Sequence, residues 1–370
     1  MGGGVTLRDR ERARRRAAIC AGVVLVLLAI ALPVATAHAR TPPGFFGISD
    51  PFPAGPSAKD LRRMGRGHLG WVHTGFVWAQ LEPSRGQFDW NRSDAVVGKL
   101  ASEGVRTLPY IYGSPRYAAS AANRPPLGSN RAREDWSAFL RAAVNRYGPG
   151  GTYWTTRYPV EHPGKRPEPV SAWQVWHEPS LSKYFHGSAA KYAKLLRISH
   201  HAIHQADPHA KVILAGLPAY AKPTAWSFLR RLYEQKRIKR SFDGVAVHPY
   251  APTVHYQAVA LKRTRRVVKR HHDGHTPIWI TEVGWGSRPP KTDRFHLNKG
   301  LHGQARYLKK TFRMVLHHRR SWNVKRVFWF RWRDPTQSKC FGSIACSAGL
   351  FKASGKPKPA WGAFERFSRR

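Results

Sequence analysis

The sequence predicts an α/β protein, specifically a (β/α)8 TIM barrel, on three observations. After residue 40, short apolar segments rich in β-formers alternate with amphipathic segments of helical period, the pattern of a parallel sheet with helical crossovers. Eight strand segments and eight helical segments are legible, the number that closes a barrel. Two strand segments then stop abruptly at glutamate: Glu178 in 171–180, S-A-W-Q-V-W-H-E-P-S, and Glu282 in 277–286, P-I-W-I-T-E-V-G-W-G. Strand C-terminal ends are where such a barrel keeps its chemistry. An open doubly wound sheet is disfavoured, because no Gly-rich phosphate loop follows the first strand.

The segments justify this in order. Phe45-Phe46-Gly47-Ile48 reads as a short first strand, and 57–67 as a basic helix with Ser57 as its N-cap. Residues 70–80, G-W-V-H-T-G-F-V-W-A-Q, form the second strand and run into the loop 81–90. Helix 93–103 is ended by Gly104, and 105–112 is the third strand. A long Gly- and Pro-bearing loop, 113–130, precedes helix 131–147, whose apolar positions Trp136, Phe139, Leu140, Ala143, Val144 and Tyr147 share one face. A second long loop, 148–169, delivers the chain to the Glu178 strand. Helix 189–206, strand 211–217, helix 225–237, strand 242–250, helix 258–271, strand 277–283, helix 300–318, strand 324–332 and helix 360–368 complete the alternation.

The first 39 residues are read as a secretory signal segment, leaving 40–370 as one barrel domain. Residues 8–16 are basic, 17–32 continuously apolar, and Ala37-His38-Ala39 is an A-x-A cleavage pattern. An uncleaved anchor is the alternative; either way the barrel is expected outside the cytoplasm. Of three cysteines, Cys20 lies in that segment; Cys340 and Cys346 form an even pair, read as a short-loop disulfide in an oxidising compartment.

The formal net charge is +42, from 63 Lys and Arg against 21 Asp and Glu. Such an excess speaks about partners and not about fold. For an exported chain two readings stand: an anionic partner such as a cell-wall polymer, acidic polysaccharide or membrane surface, or a solvated surface adaptation with no partner. No RRM, zinc-finger or basic-zipper signature argues for specific nucleic-acid binding. The densest run is 262–270, K-R-T-R-R-V-V-K-R, either an anchor to anionic polymer or an exposed helix face. His200 and His204 stand at i, i+4 without an accompanying carboxylate, so no metal or cofactor is expected.

Two strand-end glutamates are what glycoside hydrolysis requires: one carboxylic acid to protonate the leaving oxygen and one carboxylate to attack the anomeric carbon or activate water. His248 and Tyr250 end the sixth strand and Trp332 the eighth, on the same face. Trp78, Tyr112 and Trp285, near strand ends, are candidate stacking platforms for a pyranose ring.

W-Q-V-W-H-E-P resembles the W-x-x-W-N-E-P segment on the fourth strand of clan A glycoside hydrolases, and T-E-V-G-W resembles their seventh-strand segment. The run G-W-V-H-T-G-F-V-W-A-Q-L-E-P-S-R-G-Q-F-D-W is similar to the second-strand region of that clan, nearest to family 39. The resemblance implies a retaining barrel enzyme with Glu178 as general acid/base and Glu282 as nucleophile. Tyr250 would stand near the nucleophile with His248 beside it, and Trp332 under the sugar. Two positions depart from the pattern. His177 replaces the Asn that reads the sugar 2-hydroxyl, and His73 replaces an Arg that supports the nucleophile. Residues 177 and 178 can both line the pocket only if the strand end bends or bulges. These departures leave two readings: an active retaining hydrolase, or an impaired barrel that binds a polysaccharide or the cell wall through its basic surface.

Overall fold

The computed structural model describes residues 41–52, 55–290, 292–293, 295–336 and 343–369. The signal-like segment and Cys340 lie outside these described residues; Cys346 is described and buried. Nine parallel strands form one sheet: β1 (Phe46–Ser49), β2 (Trp71–Val77), β3 (Arg106–Tyr112), β4 (Ala172–Val175), β5 (Lys211–Leu214), β6 (Leu217–Pro218), β7 (Val245–His248), β8 (Ile278–Val283) and β9 (Val324–Phe330). Their order is β5-β4-β3-β2-β1-β9-β8-β7-β6. Ile213 in β5 makes a parallel bridge to Gly244, just before β7, so the curled sheet closes on itself. The neighbouring relation of β1 to both β2 and β9 is the strand order of an α/β barrel.

Nine strands replace the expected eight because the fifth segment breaks at Ala215 and Gly216. The imidazole of His248 occupies the space beside Gly216: a Cβ added there would lie 1.9 Å from Nε2. Only glycine fits at this position beside the ring.

The described helices are α1 (Ala58–Arg66), α2 (Trp78–Leu81), α3 (Asn91–Ala101), α4 (Asn130–Tyr147), α5 (Tyr158–Glu161), α6 (Ala189–Ala206), α7 (Ala225–Tyr233), α8 (Val254–Arg270), α9 (Leu301–His318) and α10 (Pro359–Ser368). Hydroxyl caps set several starts: Ser57, Ser129, Ser188, Thr224 and Thr253 each accept a hydrogen bond from the backbone N–H three residues on. Ser57 and Asp60 complete a capping box. Thr253 starts α8 at Val254, earlier than the helical period alone places it. In contrast, β2 ends at Val77, and Trp78 opens the short α2. Among the described residues no helix is long and apolar enough to cross a membrane.

Two buried layers follow from strand alternation. One sheet face packs on the helices through residues such as Trp136, Phe139, Leu196, Leu229 and Phe312. The other closes over Trp71, Leu108, Ala172, Ile213, Ala246, Trp279 and Phe328 as the barrel interior. Tyr192 of α6 ties two C-terminal strand ends together. Its hydroxyl donates to the Val175 carbonyl at 2.8 Å and accepts from the Ala215 N–H at 2.7 Å.

Tyr192→Phe strands a buried carbonyl and a buried N–H at the ends of β4 and β5. It is expected to destabilise the fold by about 1–3 kcal/mol, read as a lower urea midpoint at unchanged m.

Candidate active site

β4 ends at Val175, and the next three residues turn sharply. Trp176 has φ +70° and Glu178 φ +39°, both in the left-handed region that non-glycine residues avoid. This bend answers the geometric condition set by the sequence: it aims His177 and Glu178 to the same side of the strand, where strict alternation separates them. Trp176 is fully buried and donates its indole N–H to the Tyr184 carbonyl, anchoring the turn. A matching irregularity occurs across the barrel. The β8–β9 register slips between Ile280 and Val283, placing an extra β8 residue at Thr281–Glu282, so both side chains reach the same cavity.

The centre of the site is His248, the fully buried last residue of β7. Its Nδ1 donates to Glu178 Oε1 at 2.8 Å and lies 3.8 Å from Glu282 Oε2; its Nε2 is 3.1 Å from Thr281 Oγ1. One ligand atom each from Glu178, His248 and Glu282 lie within 4.8 Å of one another. Tyr250 Oη donates to Glu282 Oε2 at 3.0 Å. Burial and the adjacent Glu282 hold the Tyr250 phenol well above its ordinary pKa, which keeps it a donor.

The two carboxyls are held in different states. Burial, reinforced by the charge of Glu178, pushes Glu282 up to about 7, although His248, Tyr250 and Arg331 each favour its ionised form. Burial also acts on Glu178, but the hydrogen bond and charge of His248 overcome it and bring its pKa below the usual value. His248 itself is raised, because Glu282 and Glu178 outweigh its desolvation. The resting arrangement is a Glu178–His248 ion pair beside a Glu282 that gains a proton as pH falls through about 7.

His177 stacks on Tyr110 at 5.0 Å and meets Tyr184 edge-on at 4.7 Å. Burial pushes its pKa down to about 4, so it is neutral, and its buried Nδ1 has no protein partner. Tyr112 is half-buried and stacks on Tyr110 at 5.5 Å, at the same wall. His73 lies deeper, fully buried under Tyr110 at 4.6 Å, with Nδ1 2.9 Å from Ser49 Oγ. Burial, then the nearby His248 and His177, lower its pKa well below the usual value, so it brings no charge. The cations that act on Glu282 are His248 and Arg331.

Three aromatics expected at the cleft lie elsewhere. Trp78 is fully buried against Trp136 and Phe139, its indole N–H donating to Glu82. Trp285 is fully buried beside Tyr307 and donates to Thr311. Trp332 packs on Phe351 and Trp361 at 1% exposure, because β9 ends at Phe330 and the chain turns inward beyond it. Phe330, edge-on to Tyr250 at 6.2 Å, is the strand-end aromatic instead.

Sequence inspection missed Asp50 and Arg331. Asp50, just past β1, accepts from Arg331 Nε at 3.2 Å and from the Trp332 N–H at 3.0 Å, so it fixes that guanidinium. An acid immediately after a strand was the same signal that singled out Glu178 and Glu282; Arg331, between Phe330 and Trp332, falls inside the aromatic run read as the last strand and gave no such signal.

The model of glycoside hydrolase family 42, described as beta-galactosidase, matches residues 52–110. No curated protein has a matching sequence. Among solved structures, a family 39 glycoside hydrolase from Bacteroides cellulosilyticus WH2 superposes with TM-score 0.66 at 18% identity, covering 88% of this chain and 63% of its own. The chain thus spans less than two thirds of that relative. A family 39 beta-xylosidase from Caulobacter crescentus gives TM-score 0.64 at 17% identity, covering 90% and 72%. Native xylanase 10B from Thermotoga maritima gives 0.57 at 14%, covering 88% and 95%. These likenesses carry the barrel fold, and the family match over residues 52–110 accords with the resemblance to clan A.

Glu282 has a folded pKa of about 7 against an ordinary value of 4.5. A carboxyl whose pKa is raised by folding opposes folding once ionised, so its cost grows between those pH values and is constant above them. Glu282→Gln is therefore expected to raise stability by roughly 2–3 kcal/mol at pH 8 and little at pH 4, measured as the Tm difference from wild type.

Proposed function

We propose that the chain is an exported retaining glycoside hydrolase, cleaving O-glycosidic bonds of an oligo- or polysaccharide by double displacement. The observation that carries this reading is the convergence of Glu178 and Glu282 on one cavity, their oxygens within 4.8 Å. Retaining enzymes hold their carboxyls about 5–5.5 Å apart, whereas inverting enzymes leave about 6.5–9.5 Å for a water.

In the first step Glu282 attacks the anomeric carbon while Glu178 gives its proton to the departing oxygen, leaving a glycosyl ester on Glu282. In the second, Glu178 takes a proton from water, which attacks the same carbon and releases Glu282. Attack requires the resting proton to move from Glu282 to Glu178. His248 is placed for this: Nδ1 passes its proton to Glu178 at 2.8 Å and recovers one from Glu282 at 3.8 Å. Tyr250 holds Glu282 Oε2 in position for attack. His177 offers a neutral ring nitrogen to a sugar hydroxyl, and Tyr112 a stacking face. Because two of the similar structures are a beta-xylosidase and a xylanase, β-xylosides head the substrate panel.

Release of sugar from neutral and anionic glycosides tests the reading. Glu178→Gln is expected to slow turnover by about 10²–10⁴-fold on substrates with poor leaving groups, and Glu282→Gln to abolish it. Binding without turnover by the wild-type chain would instead support the polysaccharide-binding reading.

Turnover needs one proton on the pair, so kcat/KM is expected to fall as pH rises through about 7, where that proton is lost. His248→Asn removes the cation that favours ionisation of Glu282, and this alkaline limb of the profile should move to higher pH. A limb that stays in place would exclude His248 from the proton economy of the pair.

A further inference from the structure

Helix α8 holds six Lys or Arg and no Asp or Glu in its 17 residues. Arg265 turns inward to the carbonyls of Thr276 and Gly274, whereas Lys262, Arg263, Arg266, Lys269 and Arg270 are exposed. Lys262 and Arg266, then Arg266 and Arg270, stand at i, i+4, where like charges destabilise a helix. A groove between α7 and α8 gathers Arg230, Arg263, Arg266 and Arg270 around Trp226. A second groove flanks α8 on the other side, toward Trp322. This face concentrates positive potential on the outside of the barrel, away from the carboxylate pair.

Aromatic rings continue the basic face. The Arg263 guanidinium lies 5.0 Å over the Trp226 ring. Tyr220 stands edge-on to Trp226 at 5.6 Å and to Tyr256 at 6.2 Å, with Tyr220 42% and Tyr256 48% exposed. Tyr220 donates to the Tyr256 carbonyl, which fixes the cluster. It follows β6 closely, and Pro218 of β6 pairs with His248, so the aromatic cluster begins beside the strand ends that carry the carboxylate site.

We propose that this face binds an acidic polysaccharide, its sugar rings lying on Tyr220, Trp226 and Tyr256 and its carboxylates meeting Arg263, Arg266 and Arg270. Cations alone would take any polyanion; the exposed rings add a surface for pyranose C–H faces. The choice of a sugar polymer over a single-stranded nucleic acid, which also stacks on aromatics, rests on the glycosidase reading. The anionic character rests on α8 alone.

The test is binding of polygalacturonate, neutral xylan and a single-stranded oligodeoxynucleotide to the full chain carrying Glu282→Gln, so that cleavage does not intervene. Arg263→Gln/Arg266→Gln/Arg270→Gln is expected to weaken polygalacturonate binding about tenfold and to flatten its salt dependence. Tyr220→Ala/Tyr256→Ala should weaken it severalfold with the salt dependence unchanged. All five side chains are exposed, and circular dichroism checks that the fold is kept. Unchanged affinity in the arginine variant, or tighter binding of the oligonucleotide than of polygalacturonate, would overturn the proposal. Polygalacturonate binding with this pattern in a wild type that turns over no glycoside would sustain the surface and sink only the catalytic reading.

Discussion

The site depends on one buried imidazole held between two carboxylates. Two largely buried carboxylates a few ångströms apart repel each other. His248 supplies the compensating charge, and its position fixes how the remaining proton is shared. The fold makes room for it: residue 216 is glycine, since any Cβ there would collide with the ring, and Thr281 occupies its far nitrogen. Tyr192 joins the backbone at the ends of β4 and β5, connecting the His248 seat to the end of the Glu178 strand.

Backbone irregularity recurs where chemistry is placed. Left-handed conformations at Trp176 and Glu178, and the slipped register at Thr281–Glu282, are each unfavourable locally. They persist because rigid surroundings over-determine them: Trp176 is locked by its indole hydrogen bond, and β8 is hydrogen-bonded on both sides. The gain is that consecutive residues face one cavity, which a regular strand forbids. Raised proton affinity at Glu282 is a second cost of the same arrangement.

The two departures from the clan pattern find different physical outcomes. At His73, full burial removes the charge that an arginine would bring, and the positive potential felt by Glu282 comes from His248 and from Arg331, which Asp50 clamps just past the neighbouring strand β9. At His177, a neutral ring with an unpartnered nitrogen replaces an amide, held by stacking on Tyr110 where an amide would use hydrogen bonds.

The amino-acid sequence determined the alternation of strands and helices, the approximate bounds of each, and the two strand-end glutamates, because hydrophobic period and abrupt polarity changes are local properties. Asp50 was legible by the same rule. Tertiary structure alone decided which aromatics line the cleft. Trp78, Trp285 and Trp332 sit within a residue or two of strand ends, yet a single residue of offset, a short helix at Trp78 or a strand ending at Phe330, turns a ring from the cavity into the packing. It also decided the protonation of the pair, since burial and the distances from His248 to Glu178 and Glu282 depend on residues 70 and 34 positions apart in the chain. Spacing along a sequence does not encode those distances; closure of the barrel does.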